Sequence, residues 1–274
     1  MTPTTPVDVL IPTFARPAGL AVTLAGLAAQ VHPSLRIVVS DQADDEATSS
    51  GSPAVRAMVR VLEAHGREVE THRHLPRRGL AENRDFLLRL ARAPYALCLD
   101  DDVFIEPDLV GRLLAALRYA ACGVVGSAVV GLSHRDDVRP NQQAIEFWDG
   151  PVRPERIEPA SAAWDRHRLH NAANLEHLRL ARPGDHDRLY RVAWIGGCVL
   201  YDTAKLRAAG GFDFWSELPE QHAGEDVLAQ QRVMARFGGA GLFPSGADHL
   251  ELPTTVPDRS VDAPHVLRRL VPSS

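Results

Sequence analysis

Three consecutive carboxylates, Asp100, Asp101 and Asp102, follow the apolar run Leu97-Cys98-Leu99. On an extended chain alternate residues face the same side, so Asp100 and Asp102 can share one hard divalent cation and its water shell. Crowding three like charges against an apolar strand is unfavourable unless a cation compensates, which favours a metal reading over a solvated acidic turn. Such a cation can neutralise a leaving diphosphate. A second acidic pair, Glu225 and Asp226, stands just before an apolar periodicity that begins at Val227. Acids are favoured there by the helix dipole whatever the function, and a carboxylate so placed can also take a proton from an attacking hydroxyl.

The elements that carry these residues are legible from periodicity. Residues 7–11 read as a buried strand, followed by a helix from about Pro17 with Leu20, Leu24 and Leu27 on one face. A strand over 35–39 ends at Asp41, a helix over 53–65 stops at Gly66, and a weak strand surrounds Val69. Gly79 opens a helix with Phe86, Leu87 and Leu90 as its stripe, which leads into the strand 95–99 and the acidic run. A helix over 107–119 and a strand over 123–130 complete a half written as alternating β and α units. In open α/β sheets the C-terminal strand ends are where ligands bind, and the acidic run occupies that position. Residues 131–191 turn polar and rich in Arg, His, Asp, Asn and Pro, which predicts an irregular insertion of the kind that forms lids or binding loops. A strand over 192–201, a short helix ending at Gly210-Gly211, a helix over 227–237 and a strand over 241–243 follow.

Composition sets the limits. A chain of 274 residues with 45% hydrophobic residues can bury a sizeable core. A formal charge of −5 lacks the basic excess that would attract nucleic acid or an anionic membrane. Cys98, Cys122 and Cys198 lie in apolar runs at wide spacing, which suits reduced core residues and neither a disulfide framework nor a zinc site. No window reaches the apolar length of a membrane span and no signal segment is legible, so a cytoplasmic protein is expected.

The stretch from Leu99-Asp100-Asp101-Asp102 through Glu106-Pro107-Asp108 resembles the DXD strand-loop-helix of family 2 glycosyltransferases with the GT-A fold. Three further segments agree in order. Val9-Leu10-Ile11-Pro12-Thr13 resembles the family's opening strand and turn, and Gly79-Leu80-Ala81-Glu82-Asn83-Arg84-Asp85 its glycine-led helix. Gly210-Gly211-Phe212-Asp213 with Gly224-Glu225-Asp226 resembles its acceptor-side signature. The resemblance implies an α/β, GT-A (Rossmann-like) mixed sheet flanked by helices, with an irregular insertion, in one domain over 1–274. Within it, 1–130 would be the nucleotide-sugar half, 131–191 the insertion, 192–250 the acceptor-side half and 251–274 a tail.

It also implies a metal-dependent, hexosyltransferase-type enzyme that moves a sugar from a nucleoside-diphosphate sugar, UDP-linked, to an acceptor hydroxyl with inversion. The acceptor, whether glycan, glycolipid or natural product, is left open. Pro12, Thr13, Gly79, Asp100 and Asp101 would line the donor, Arg84 would help hold the diphosphate, and Asp41 would read the base. Ser40-Asp41-Gln42 stands where the family shows paired acids followed by glycine, so that last match is partial, and an Asp in a strand-ending turn is a common structural use. Asp100, Asp102 and His249 would hold Mn²⁺ or Mg²⁺, the imidazole favouring Mn²⁺. Asp226 would act as base, with Glu225 as the alternative. Trp194, Gly196 and Gly197 fit either a sugar-contacting wall or close strand packing. Two rivals remain. A sugar nucleotidyltransferase needs a Gly-rich basic loop where Pro12-Thr13-Phe14-Ala15-Arg16 stands, and a non-catalytic sugar-nucleotide binder needs no acidic base.

Overall fold

The computed structural model describes residues 5–43 and 48–267, so the last seven residues of the expected tail lie outside the described residues. The chain begins with β1 (Val7–Thr13), α1 (Pro17–Ala28), β2 (Leu35–Asp41), α2 (Pro53–Ala64), β3 (Glu68–Arg73) and α3 (Leu80–Leu90). It continues with β4 (Tyr95–Leu99), β5 (Val103–Ile105), α4 (Leu109–Ala120), β6 (Val124–Gly126) and β7 (Val130–Gly131). The later elements are α5 (Asn174–Ala181), β8 (Arg188–Tyr190), β9 (Cys198–Asp202), α6 (Thr203–Ala208), α7 (Glu225–Phe237), β10 (Gly239–Phe243), β11 (Ala247–His249) and α8 (Ala263–Val266). Among the described residues no helix is long and apolar enough to cross a membrane.

An eight-stranded mixed sheet runs in the order β3-β2-β1-β4-β9-β6-β10-β8. Its first four strands are parallel, β9 is antiparallel to both neighbours, and β8 closes the far edge antiparallel to β10. β1 and β2 are buried along their whole length, as strands covered by helices on both faces must be. Side chains of one strand divide between the faces: Val7, Val9 and Ile11 enter one core cluster and Leu10 the other. α1 and α2 each carry proline in the first turn, and Ser52 caps α2 by accepting the Val55 N–H at 3.3 Å.

Several local readings needed the fold to correct them. The expected strand over 123–130 is two strands in different sheets, β6 in the large one and β7 in a three-stranded sheet ordered β5-β11-β7. β5 itself is three residues long, too short for a period to register. The expected strand over 192–201 forms only from Cys198 onward. Ahead of it, the N–H and C=O of Ile195 bond the side-chain amide of Gln230 at 2.9 and 2.7 Å instead of a strand ladder, and Gly197 turns at φ +78°. Residues 131–191 contain α5 and β8, and contribute Leu169, Leu175, Leu178 and Tyr190 to the core. The buried face of α3 holds Glu82, Asn83 and Arg84 as well as Leu87 and Leu88, which no hydrophobic stripe announces.

The β10–β8 contact depends on a missing side chain. A Cβ built on Gly241 would lie 2.2 Å from Cζ of the fully buried Tyr190, whose hydroxyl meets His170 Nε2 at 3.0 Å. Gly241→Ala should therefore lower stability by about 2–3 kcal/mol, whereas Gly111→Ala, in α4 with nothing within 4 Å of its Cβ, should raise it by up to about 1 kcal/mol. Urea unfolding of both variants measures the contrast.

Candidate functional site

Parallel β1 and β4 end side by side, and their ends floor an open cleft. Pro12, Thr13, Asp100, Asp101 and Asp102 line it, together with Phe14, Arg16, Gln42 and Arg77. The opposite wall is a C-terminal segment, including Leu252, Thr254, Thr255, Val256 and Arg259.

The acidic run is closely engaged. Asp101, 6% exposed, accepts a 2.6 Å hydrogen bond from Thr13 Oγ1. The Arg16 guanidinium reaches Asp101 Oδ1 at 3.3 Å, bonds Asp102 Oδ2, and donates to the carbonyl of Pro253 on the far wall. Burial nevertheless pushes the Asp101 carboxyl up to about 6, against the lowering effects of Thr13 and Arg16. Burial, followed by the charge of Asp100, also raises Asp102, although His249 and Arg16 oppose the shift. Two acids that still resist ionisation beside an arginine mark a site short of positive charge, so these carboxylates fit a hard divalent cation.

β11 pairs antiparallel with β5, placing His249 opposite Val103 and beside Asp102, with Nε2 at 3.6 Å from Oδ2. The proximity expected from sequence is present, but the ring is turned for another use. Nδ1 accepts the Glu251 N–H at 2.8 Å, which leaves the proton of a neutral ring on Nε2. A metal-bound histidine donates from its second nitrogen instead. In this orientation Nε2 of His249 faces Asp102 beyond hydrogen-bond length while Nδ1 is occupied by the Glu251 N–H, and among the described residues no group of three His, Cys, Asp or Glu is arranged to hold a metal.

Asp100 parts company with its neighbours. Its Oδ1 accepts from Arg84 Nη2 at 2.7 Å, while Arg84 Nε donates to Glu225 Oε1 at 3.0 Å. Burial pushes the Arg84 guanidinium toward the neutral form, but Asp100, Glu225 and Asp226 more than offset it, so it stays charged. Arg84 is only 5% exposed and does not line the cleft, which corrects its expected place on the diphosphate: here it binds the acidic run to the first turn of α7. Glu225 and Asp226 lie within that turn rather than before it. Asp226 has no side-chain donor within hydrogen-bond or ion-pair distance among the described residues, and burial, reinforced by Glu225, drives its carboxyl up to about 7. Neither acid of the pair lines the cleft.

Gly79 also stands behind the cleft. It adopts φ +99°, and a Cβ there would meet Glu220 O and His222 Cε1 at 2.6 Å, so it lets α3 start against residues 220–222. Asp41 is fully buried outside the lining, its oxygens taken by Ala43 N at 3.1 Å and by Ser50 N and Oγ, each at 2.9 Å. Trp194 stacks on His167 at 4.8 Å and packs against Trp164. The sequence reading missed Arg16, Arg77 and Arg259 as cleft cations. Arg16 was detectable as the basic residue in the turn after β1, but Arg259 lies in a segment with no periodicity at all.

The sequence pattern of glycosyl transferase family 2 matches residues 8–175. Among solved structures, S. aureus TarS residues 1–349 in complex with UDP-GlcNAc superposes with a TM-score of 0.55 at 14% identity, covering 92% of this chain and 60% of that one. A second S. aureus TarS structure gives 0.54 at 16%, covering 89% and 36%. The mannosyltransferase PcManGT from Pyrobaculum calidifontis, in complex with GDP-Man and Mn²⁺, gives 0.51 at 17%, covering 88% and 57%. At these identities the likeness is one of fold, and the chain spans 36% to 60% of the length of these three structures. No curated protein sequence matches it.

The raised Asp226 carboxyl has a thermodynamic consequence. Its folded-state value of about 7 exceeds the ordinary 3.8, so the folded protein binds the extra proton. Stability is therefore lost as pH rises through that window, and the cost is complete above it. Asp226→Asn should raise stability by ~2 kcal/mol at pH 8 and change it little below pH ~4. Thermal melts across pH report the difference, and a pH-independent gain would place its origin elsewhere.

Proposed function

The chain belongs to glycosyl transferase family 2, and we propose on that basis that it transfers a sugar from a nucleoside-diphosphate sugar, UDP- or GDP-linked, to an acceptor hydroxyl with the help of a divalent cation. The observation that carries the reading is the cleft at the ends of β1 and β4, where Asp101 and Asp102 are buried, raised and short of cations. The ligands bound by two fold neighbours, UDP-GlcNAc in one and GDP-Man with Mn²⁺ in another, support the donor class.

In this reading Asp102, with Asp100 beside it, would hold Mn²⁺ or Mg²⁺, which when bound would supply positive charge to the diphosphate leaving group. Arg16 and Arg259, which line the cleft, receive the phosphates in place of the buried Arg84. Arg84 positions Asp100 and Glu225 through its two hydrogen bonds. In this reading Asp226 takes the proton of the acceptor hydroxyl, which has to reach it at the first turn of α7 because Asp226 stands outside the cleft lining. Its carboxyl, raised to about 7, suits that task near neutral pH. Glu225 is less suited, because its carboxylate is committed to Arg84. Attack from the face opposite the leaving group gives inversion. The acceptor is a hydroxyl compound of the glycan, glycolipid or natural-product type.

The deciding measurement is a thermal-shift screen of UDP, GDP and their sugar conjugates with Mn²⁺ or Mg²⁺, since ligands of the folded state raise its melting temperature by mass action. A metal-dependent shift with one sugar nucleotide is expected, and Asp102→Ala should remove it while leaving the protein folded. Unaltered Mn²⁺-dependent nucleotide binding in that variant would sink the assignment. Specific binding with neither transfer nor donor hydrolysis would instead leave a sugar-nucleotide binder.

His249 supplies a separate check. If its ring donates to Asp102, His249→Ala should lower activity with Mn²⁺ and Mg²⁺ by similar factors, roughly tenfold, as for a lost partner of a metal-binding carboxylate. A loss confined to Mn²⁺ in steady-state rates would make the imidazole a ligand.

A further inference from the structure

We propose that Gln42, and not Asp41, reads the base of the bound nucleotide, offering a lone carbonyl acceptor to a base whose hydrogen-bonding edge is centred on a ring N–H, as in uracil or guanine. The proposal rests on the sugar-nucleotide reading above and adds the recognition of one part of that donor.

Asp41 has nothing to offer a ligand. It is fully buried, and its two oxygens are spent on the N–H of Ala43 and on the N–H and hydroxyl of Ser50. It therefore ties the end of β2 to the segment that precedes α2. The next residue, Gln42, is itself only 3% exposed, but unlike Asp41 it belongs to the cleft wall. The Gln42 N–H donates to Thr13 O at 3.1 Å, which docks this residue on the end of β1, and its side chain lines the cleft together with Phe14 and Arg77. The Arg77 guanidinium lies 3.8 Å from the centre of the Phe14 ring, a flat pair beside which a planar base can stack.

The orientation of the Gln42 amide is set from behind. Its Nε2 donates to Glu82 Oε2 at 3.3 Å. The same carboxylate is held by His74 Nε2 at 2.8 and 2.9 Å, and the His74 ring stacks on Phe86 at 3.8 Å with 7° between the planes. A carboxylate only accepts, so the amide must turn its NH₂ toward Glu82. Its Oε1 then has no partner among the described residues and is the atom left for a ligand. A carbonyl oxygen discriminates at the centre of the base edge. Uracil and guanine present an N–H there, whereas cytosine and adenine present a nitrogen lone pair that repels it.

Titration calorimetry of UDP, GDP, CDP and ADP, each with Mn²⁺, tests the assignment on the wild type and on Gln42→Met, which keeps length and removes the acceptor. UDP or GDP should bind wild type about tenfold more tightly than CDP and ADP, the effect of one buried acceptor meeting N–H rather than a lone pair. In Gln42→Met that preference should shrink to about twofold or less through loss of UDP or GDP affinity alone. Glu82→Gln provides a second route that leaves Gln42 in place. A glutamine behind it can donate as well as accept, so the Gln42 amide is free to turn its NH₂ to the base, and CDP or ADP should gain relative to UDP and GDP. Tightest binding of CDP or ADP by wild type overturns the proposal, as does a preference that survives Gln42→Met. Either result with nucleotides still bound leaves the donor reading intact. Failure of all four to bind removes the donor reading and this proposal with it.

Discussion

Arg84 is the pivot of the molecule. One guanidinium, 5% exposed, joins Asp100 at the end of β4 to Glu225 in the first turn of α7, and so ties the two halves of the sequence together at the point where the strands end. Three acids share its charge, since Asp226 lies within its field without touching it. Burying a cation is costly, and the cost is recovered only if its geometry and its partners are all retained. Asp226 is left without a side-chain donor among the described residues, and burial, reinforced by Glu225 and only opposed by Arg84, raises its carboxyl to about 7, while Glu225 stays bonded to Arg84.

A similar economy of charge governs the cleft. Asp101 and Asp102 draw on Thr13, Arg16 and His249, three groups from different elements, and both carboxyls remain raised. Arg16 also reaches the Pro253 carbonyl and Arg77 the Thr255 carbonyl at 3.5 Å, so the cations of one wall hold the C-terminal segment that forms the other. On the proposed reading, a diphosphate entering this space would meet arginines that already have protein partners. The affinity it can gain is the difference between those partners and its own charge.

Much of this fold is written locally. Leu20, Leu24 and Leu27, the unbroken Val-Ile run of β2 and the proline that opens α1 each report a period or a cap within a dozen residues, and each lies where that period implies. The DXD run is legible for the same reason, because an apolar strand delivering three acids is a contiguous signal. Where a stretch failed, the backbone had found partners far away in sequence. Ile195 reads as strand but bonds the amide of Gln230, and residues 123–130 read as one strand but divide between two sheets.

The charged side chains were the hardest to assign, and the reason is physical. Residue type and the family resemblance together imply that Asp41, Arg84 and His249 carry groups able to bind a base, a phosphate or a metal. They do not state which competitor within the protein reaches those groups first. Ser50 takes Asp41, Asp100 and Glu225 take Arg84, and the Glu251 N–H takes one nitrogen of His249. Hydrogen bonds and ion pairs are short-ranged, so those outcomes depend on sheet order and on the pairing of β11 with β5, neither of which leaves a periodic trace. Chemistry by residue type is a property of the sequence; availability to a ligand is a property of the packed chain, because only packing decides which polar groups have already been satisfied.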